Sequence, residues 1–384
     1  MDISFLPEFS EIGFYAFCFF SMYFLLMIFL AIGLAKLPYS KISNGKSLPT
    51  VTVLVSSRNE ERDLPECISS LEKLNYPEGK LQVVLVNDRS TDTTEQLIEE
   101  ASQRNEHFVG LNTIDYPHHN LEAKARGIAL GFKHATGEWV FITDADAVVH
   151  PDWLRASLAE VDEHTGMVGG ALKVEPISWL AKLERVCWAF VQMFNLGMSG
   201  WGIPFVCVGP NMAMRKSIYD EAGGLENRNF TIAEDLALFK MVIEAGYKVK
   251  TYMDEHTVVR LKPVPSFRHL ISQQRRWLKG GLDDGILYLI ILGLAFGWGL
   301  LVSSYILFGW LLSLKYYLIF TVSKLVIDIL FLSLQRSRMK ASKYVRYVLL
   351  LELYVPIICF ILPISFLFSR KIYWKGDGYE IPYS

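Results

Sequence analysis

The chain has 384 residues and a mass of 43.8 kDa; 51% of it is hydrophobic against 20% charged, and its mean hydropathy is +0.25. Its 38 basic and 40 acidic side chains leave a net charge of −2, which offers no electrostatic footprint for nucleic acid; collagen-like, disordered and disulfide-scaffold classes are excluded by composition. The apolar excess is high for a soluble enzyme and is expected to sit in a bilayer.

From Gly13 to Ala35 no charged residue or proline interrupts the chain, enough for a helix across roughly 30 Å of hydrocarbon at about 1.5 Å per residue. Asp2, Glu8 and Glu11 precede this segment where a cleaved signal peptide would be basic. Lys36, Lys41 and Lys46 follow it, so the positive-inside rule puts Met1 outside and the residues after Lys36 in the cytoplasm.

Between Leu48 and Lys262 short apolar runs alternate with helical periodicity, the pattern of a mostly parallel α/β sheet. Thr50 to Ser56 is the first predicted strand. Asp63 with Glu66 three residues on reads as a helix start for Leu64 to Leu74. Leu81 to Val86 is the second strand, and the polar turn Asn87 to Asp92 leads into a helix from Thr93 to Ala101. A third strand (Phe108 to Thr113), a helix (Leu121 to His134) and a buried fourth strand (Trp139 to Thr143) complete the run, which ends at Asp144-Ala145-Asp146. Ligands bind at the carboxyl ends of strands in such sheets, so Arg58, Asp88 and Asp144 to Asp146 are expected to face one crevice. Neither Gly-x-Gly-x-x-Gly nor a P-loop follows the first strand, which removes dinucleotide and ATPase readings.

An Asp-x-Asp pair after a buried strand can present carboxylate oxygens to a hard divalent cation shared with substrate phosphates, although such turns also merely close strands. Farther on, the helix Trp179 to Met198 carries Trp188, Phe190 and Phe194, expected to pack beneath a cleft. Glu234-Asp235 opens a helical run from Leu236 to Ala245, where a carboxylate can cap its own helix or, facing the crevice, take a proton from a hydroxyl. Gln273-Gln274-Arg275-Arg276-Trp277 lies on a helix just before the hydrophobic C-terminal region, a place where Arg and Trp also serve as interface anchors.

From Gly285 to Leu314 the chain is again uncharged and longer than one span, so part of it, bending near Gly293 to Gly299, is expected to lie along the membrane surface. Tyr316 to Leu334 and Tyr347 to Phe368 are further span candidates, separated by a basic loop containing Arg336, Arg338, Lys340, Lys343 and Arg346 that reads as cytoplasmic. Span counting then puts the tail outside, whereas Arg370, Lys371 and Lys375 argue for inside. Lys324 and Asp328, at i, i+4, are expected to neutralise one another as a structural pair, with Glu352 similarly placed on the last segment. His118-His119 falls in a polar loop and is read as exposed. Five cysteines without a CxxC pair or Cys/His cluster are expected to be reduced and structural.

Asp-x-Asp, a later Glu-Asp and Gln-x-x-Arg-Trp, in that order, make a set far more specific than any member. With Arg58-Asn59-Glu60-Glu61, the Val86 to Asp92 turn, Lys124 and Gly209-Pro210-Asn211, the region from about Leu48 to Gly281 resembles the membrane-bound members of glycosyltransferase family 2, including ceramide glucosyltransferase-like, polysaccharide synthase and hyaluronan synthase relatives. The resemblance implies a GT-A fold, a nucleotide-diphosphate sugar donor with uridine the first choice and guanosine the second, a Mg²⁺ or Mn²⁺ ion, and inversion at the anomeric carbon. It implies that Asp88 holds the nucleobase or ribose with Arg58 and Glu60 beside it, that Lys124 approaches the nucleotide, and that Asp146 ligates the metal with Asp144 supporting it or the ribose. Asp235 would be the catalytic base, and Glu234, Gln273, Arg276 and Trp277 would border the donor diphosphate and the acceptor. Asn87 stands where the first Asp of a more usual Asp-Asp pair would be, and Asp377 where the tail motif usually has Arg.

The organisation expected is thus a transmembrane helix and linker over residues 1–47, a cytosolic catalytic domain over 48–281, and an interfacial segment, about three spans and a tail over 282–384. A site tied to a bilayer at both ends favours a lipid or lipid-linked acceptor. The alternatives are a processive polysaccharide synthase and, in another class, a catalytically silent sugar-nucleotide binder.

Overall fold

The computed structural model describes residues 11–40, 42, 47–114, 116, 121–204, 207–228, 233–282, 314–340, 347–368, 371–374 and 377–380. The predicted surface segment before Leu314, the His118-His119 pair, and Lys343, Arg346, Arg370 and Lys375 lie outside these residues.

After α1 (Glu11–Lys36) the chain enters β1 (Val51–Ser57), α2 (Leu64–Leu71), β2 (Leu81–Asn87), α3 (Thr94–Arg104), β3 (Phe108–Asn112), α4 (Lys124–His134) and β4 (Trp139–Asp144). The strand alternation predicted from apolar runs is thus present. The runs are continuous because α2 and α3 cover one face of the sheet and α4 the other, so both faces of β1 are buried along its whole length. Next come β5 (Ala147–Val148), α5 (Trp153–Ser157), β6 (Thr165–Gly170), β7 (Leu172–Val174), α6 (Trp179–Ser199), β8 (Met212–Arg215), α7 (Lys216–Glu221), α8 (Glu234–Glu244), β9 (Lys248–Tyr252) and β10 (Val259–Leu261).

Seven strands form one sheet in the order β3-β2-β1-β4-β8-β6-β9, parallel except where β8 runs against β4 and β6. A smaller sheet, β5-β10-β7, stands beside it. Chain order reverses between β1 and β4, the kind of position at which open α/β sheets leave a crevice.

α4 seats closely on β1: a Cβ at Gly127 would lie 2.1 Å from Ser56 Oγ, and one at Gly131 2.1 Å from Leu54 Cδ1. The missing side chains let the helix deliver Lys124, at its first turn, to the crevice. The helix starts at Leu64, where the Asp63/Glu66 signature puts it, and ends at Leu71, short of the expected Leu74; what differs is the cap bond. Asp63 stands at the N-cap position of α2 without a side-chain cap bond, because Lys262 draws its carboxylate to 3.0 Å and that of Glu66 to 3.2 Å. An ammonium outcompetes backbone N–H groups for these two acids.

α9 (Phe267–Leu282), α10 (Leu314–Arg338) and α11 (Val348–Phe368) follow, then a hairpin of β11 (Lys371–Trp374) and β12 (Asp377–Glu380). Among the described residues no helix is long and apolar enough to cross a membrane. α1, α6 and α10 share an apolar core through residues such as Met27, Leu30, Phe194 and Phe331. A Cβ at Gly33 would lie 1.9 Å from the Gly197 carbonyl oxygen, and one at Gly200 1.7 Å from that of Gly33, so the α1 and α6 backbones touch.

α10 runs on through Arg336 and Arg338, which the charge pattern assigns to a loop. Arg338 donates to the carbonyls of Ala35 at 3.2 Å and Leu37 at 2.6 Å, tying the ends of α10 and α1 where the helix dipole favours a cation. Lys324 bonds Asp328 at 2.6 Å and also pairs with Glu352, while Tyr23 donates to Asp328 at 3.1 Å. The predicted pair is therefore one corner of a buried network that joins α1, α10 and α11. Among the described residues Cys18, Cys67, Cys187 and Cys207 are free thiols.

Candidate functional site

Register sets the crevice. Ser57 of β1 lies opposite Asn87 of β2, and Ser56 opposite Asp144 of β4, so Arg58, Asp88 and Asp144 leave neighbouring strand ends at one level, as expected from the sequence.

Asp88 is fully buried. Its Oδ1 accepts from Thr113 Oγ1 at 2.7 Å and Arg89 Nε at 3.3 Å, with an Arg126 guanidinium nitrogen 3.6 Å away. Its Oδ2 is buried with no hydrogen-bond partner among the described residues. A buried acceptor held by two cations and left with an unspent oxygen is a ready hydrogen-bond site for a ligand N–H or O–H. Asn87 has a different task from the acid whose place it takes: its Oδ1 accepts from the Ser90 amide at 3.1 Å and closes the turn.

The loops after β1 and β2 are stitched together. Thr91 N–H donates to Asn59 Oδ1 at 2.8 Å, Asn59 N–H to Ser90 Oγ at 3.0 Å, and Glu60 N–H to Thr94 Oγ1 at 2.8 Å. Asn59 and Arg89, at φ of 52° and 56°, turn the two loops over in the left-handed region that Asn tolerates best. Arg58 is half-buried at the base of this loop pair. Glu60 borders a neighbouring cleft of about 670 Å³, with Asp63, Glu66, Arg260 and Lys262 on its wall. Among the described residues Asp144, Asp146, Glu234 and Asp235 do not line this cleft.

At the centre of the crevice Lys124 forms an ion pair with Asp144 and lies 3.4 Å from Glu234. Burial works against its charge, but Asp144, Glu234 and Asp235 outweigh that and lift its pKa. Asp235, next to Glu234 at the start of α8, does not cap its own helix alone. Its Oδ2 accepts from the Gly209 amide at 3.0 Å and its Oδ1 from the Leu236 amide at 2.9 Å. Burial, then the charge of Glu234, push the Asp235 carboxyl up to about 6. Such a group is ionised at neutral pH yet basic enough to accept a proton. Gly209-Pro210-Asn211 is a single 3₁₀ turn: Thr143 donates to the Pro210 carbonyl at 2.9 Å, and Asn211 donates to the carbonyls of Ala171 and Thr257 at 2.8 Å. That turn acts as a bracket that holds Gly209 N–H toward Asp235.

α9 brings Gln273, Arg276 and Trp277 onto one face through i, i+3 and i, i+4 spacing. The Arg276 guanidinium is sunk deeply enough for burial to lower its pKa, against the fields of Glu234, Asp144, Asp235 and Asp146. Trp277 meets Trp188 of α6 edge-on, ring centroids 4.4 Å apart, whereas Phe194 of the same helix packs in the core shared with α1 and α10. Gln273 engages Glu184 of α6, whose Oε2 also accepts from the Val264 amide at 2.8 Å.

Glu184 is not legible in the sequence as a site residue, although one acid on the apolar face of a long helix is the signal that could have found it. It is 1% exposed; burial pushes its carboxyl up to about 7, against the bonds from Val264 and Gln273. A folded-state pKa above the unfolded value means that the protonated form is favoured by folding, so this stabilisation is present below about pH 4.5 and lost as pH rises through about 7. Glu184→Gln keeps the shape without the charge. Its melting temperature is expected to gain on the parent as pH rises from about 5 to about 8, by the equivalent of up to about 3 kcal/mol; a pH-independent difference in calorimetry would contradict a buried, titrating Glu184.

Four carboxylates, Asp144, Asp146, Glu234 and Asp235, thus act on two cations, Lys124 and Arg276. The excess of negative oxygen donors suits a hard divalent cation such as Mg²⁺ or Mn²⁺.

The model of glycosyl transferase family 2 matches residues 52–223, and that of glycosyl transferase family group 2 matches residues 139–370. A probable glycosyltransferase, YdaM, of Bacillus subtilis is 26% identical over 246 residues, covering 62% of this chain and 56% of the relative. A beta-monoglucosyldiacylglycerol synthase of Nostoc sp. is 26% identical over 253 residues, covering 63% of this chain and 51% of the relative. The chain therefore spans about half the length of these curated relatives. Among solved structures, mannosyltransferase PcManGT from Pyrobaculum calidifontis, in complex with GDP-Man and Mn²⁺, superposes with a TM-score of 0.57 at 19% identity, covering 92% of this chain and 97% of that one. This likeness extends to the fold.

Proposed function

The chain belongs to glycosyl transferase family group 2, whose model matches residues 139–370; from that premise we propose that it is a glycosyltransferase that uses a nucleotide-sugar donor and moves a sugar, with inversion, from a UDP-sugar to a hydroxyl of a membrane lipid or lipid-linked acceptor. The observation that carries the chemistry is the convergence of Asp235, Lys124, Asp144 and Arg276 at the switch-point crevice.

In this reading Asp88 offers its spare oxygen to the nucleoside, flanked by Arg58 and Glu60. Lys124 is an ammonium held in place by carboxylates, able to orient the diphosphate. Asp235 is fixed by two backbone N–H bonds, so its remaining lone pairs have a defined direction in which to receive the acceptor proton. The charge that builds on the departing nucleotide diphosphate meets Arg276, a pre-placed cation that needs no reorganisation when the bond breaks. Asp146, with Asp144, would hold Mg²⁺ or Mn²⁺, which when bound neutralises diphosphate charge. Gln273 and Trp277, fastened to α6, border the side from which the acceptor comes.

Two observations support a lipid acceptor. α1 and α10 turn Leu25, Ile28, Ile32, Val322, Val326 and Leu330 outward, apolar surface that has no use in water. The same helices pack on α6, which holds α9. We therefore place the chain in a membrane as a multi-pass protein, with residues 48–281 as its cytoplasmic catalytic domain.

Radiolabelled transfer in membranes containing the protein, with a panel of UDP- and GDP-sugars and Mn²⁺ or Mg²⁺, tests the proposal. The expected product is small and soluble in organic solvent, made from a UDP-sugar and lost on chelation. Label in a large water-soluble polymer would replace this reading with a processive synthase, and turnover of GDP-sugars alone would overturn the choice of nucleotide.

A further inference from the structure

Away from the crevice, three metal-competent side chains come together from segments that share no motif. His150 follows β5, Asp152 immediately precedes α5, and His256 lies in the loop between β9 and β10. One ligating atom from each falls within 4.8 Å of the others, and all three residues are half-buried. The Nδ1 atoms of His150 and His256 are 3.5 Å apart, with the rings edge-on at a centroid distance of 4.7 Å.

That spacing has chemical meaning. Two imidazole nitrogens on one tetrahedral Zn²⁺, each at about 2.0–2.1 Å, stand about 3.4 Å from one another. Two nitrogens and a carboxylate with an outer position open is a donor set of intermediate softness, unlike the all-oxygen set of Asp144 and Asp146, and it selects Zn²⁺ over Mg²⁺. Occupation would exchange one contact for another, since His150 Nδ1 now accepts from the Asp152 amide at 3.1 Å. Asp152 is already oriented by Asn75 Nδ2, which donates to Oδ1 at 2.8 Å, and by Arg155 at 3.6 Å. Partners of this kind direct a metal-binding carboxylate.

We propose that His150, Asp152 and His256 form a Zn²⁺ site, separate from the donor site, that fastens the β9–β10 loop to the start of α5. The loop is where the sheet meets the helices. Asp254 accepts from the Ser40 amide at 2.8 Å just after α1, and Glu255 forms an ion pair with Lys340 just after α10. A metal at His256 therefore clamps the joint between the catalytic sheet and the helical region, with a structural rather than a chemical role.

The test uses the full-length protein in detergent, stripped with a chelator and titrated with Zn²⁺, and with Co²⁺ as a spectroscopic probe. One equivalent of Zn²⁺ is expected to bind in the presence of excess Mg²⁺, to raise the melting temperature, and to displace Co²⁺ showing the visible absorption of a four-coordinate ion. Asp146→Ala should retain this binding. His256→Gln and His150→Asn should each weaken it by more than about tenfold and remove the thermal shift while leaving donor binding intact. Absence of tight Zn²⁺ binding to the parent, or its loss in Asp146→Ala and survival in both histidine variants, would overturn the assignment and leave the two rings as a packing contact.

Discussion

Asp235→Asn is expected to lower the rate of sugar transfer by roughly 10²–10⁴-fold while nucleotide-sugar binding stays near that of the parent. The variant removes the charge and the proton-accepting ability at almost constant shape. One backbone bond, from Gly209 or from Leu236, can still be accepted by the amide oxygen, so the α8 start and the Gly209 bracket have little reason to move. Of the groups proposed to bind donor, Asp88 keeps its partners and Lys124 keeps Asp144 and Glu234. A second signature comes from pH: with the Asp235 carboxyl raised to about 6 by burial and by Glu234, kcat/KM should fall about tenfold per pH unit below that value, because only the ionised form can take the acceptor proton. Residual activity in Asp235→Asn should lack this acid limb. Single-turnover transfer measured beside donor-binding calorimetry separates the two effects, and transfer at near-parental rate would show that another group is the base.

Arg276→Ala should cost roughly 10²–10³-fold in kcat with a much smaller change in the donor KM. The guanidinium lies within the fields of four carboxylates and is half-buried, an arrangement that places fixed positive charge beside the reacting groups. Removing it takes away one of the cations that face the departing diphosphate, leaving Lys124 and the proposed metal ion to balance it. Arg276→Lys restores the charge but not the planar set of donors, so it should fall between the parent and Ala. Steady-state kinetics decide the matter. A rise in KM at unchanged kcat would mean that Arg276 binds ground and transition states equally, and its role would then be in donor capture.

Much of the crevice is legible in the amino-acid chain itself. Strands buried on both faces write themselves as Val-Val-Leu-Val and Trp-Val-Phe-Ile, and the first charged residues after the apolar runs, Arg58, Asp88 and Asp144, mark the strand ends where ligands collect. Two carboxylate pairs differ instructively. Asp63 and Glu66 have the spacing of a helix cap, but Lys262, almost two hundred residues later, claims both; a local rule cannot see a distant cation. Glu234-Asp235 has the pattern of a cap or of a base, and the 3.0 Å bond to Gly209 ties Asp235 to the crevice floor. The His150–His256 pair is invisible in the sequence, and Glu184 shows there only as one acid on an apolar helix face, for one reason: each takes its meaning from partners brought in by tertiary packing. The β11–β12 hairpin likewise carries no strong alternation that would announce it.

The bare contact between α1 and α6 at Gly33, Gly197 and Gly200 has a mechanical reach beyond its few atoms. Two helices whose main chains touch cannot slide or roll without one of them colliding, so they move as a single rod. α6 is the same rod that grips α9 through Glu184 and Trp188. In a membrane setting the depth at which α1 floats and the height of Arg276 above the sheet therefore become one coordinate. If the chain sits in a bilayer as proposed, a change of bilayer thickness would be felt at the crevice as a displacement of Arg276.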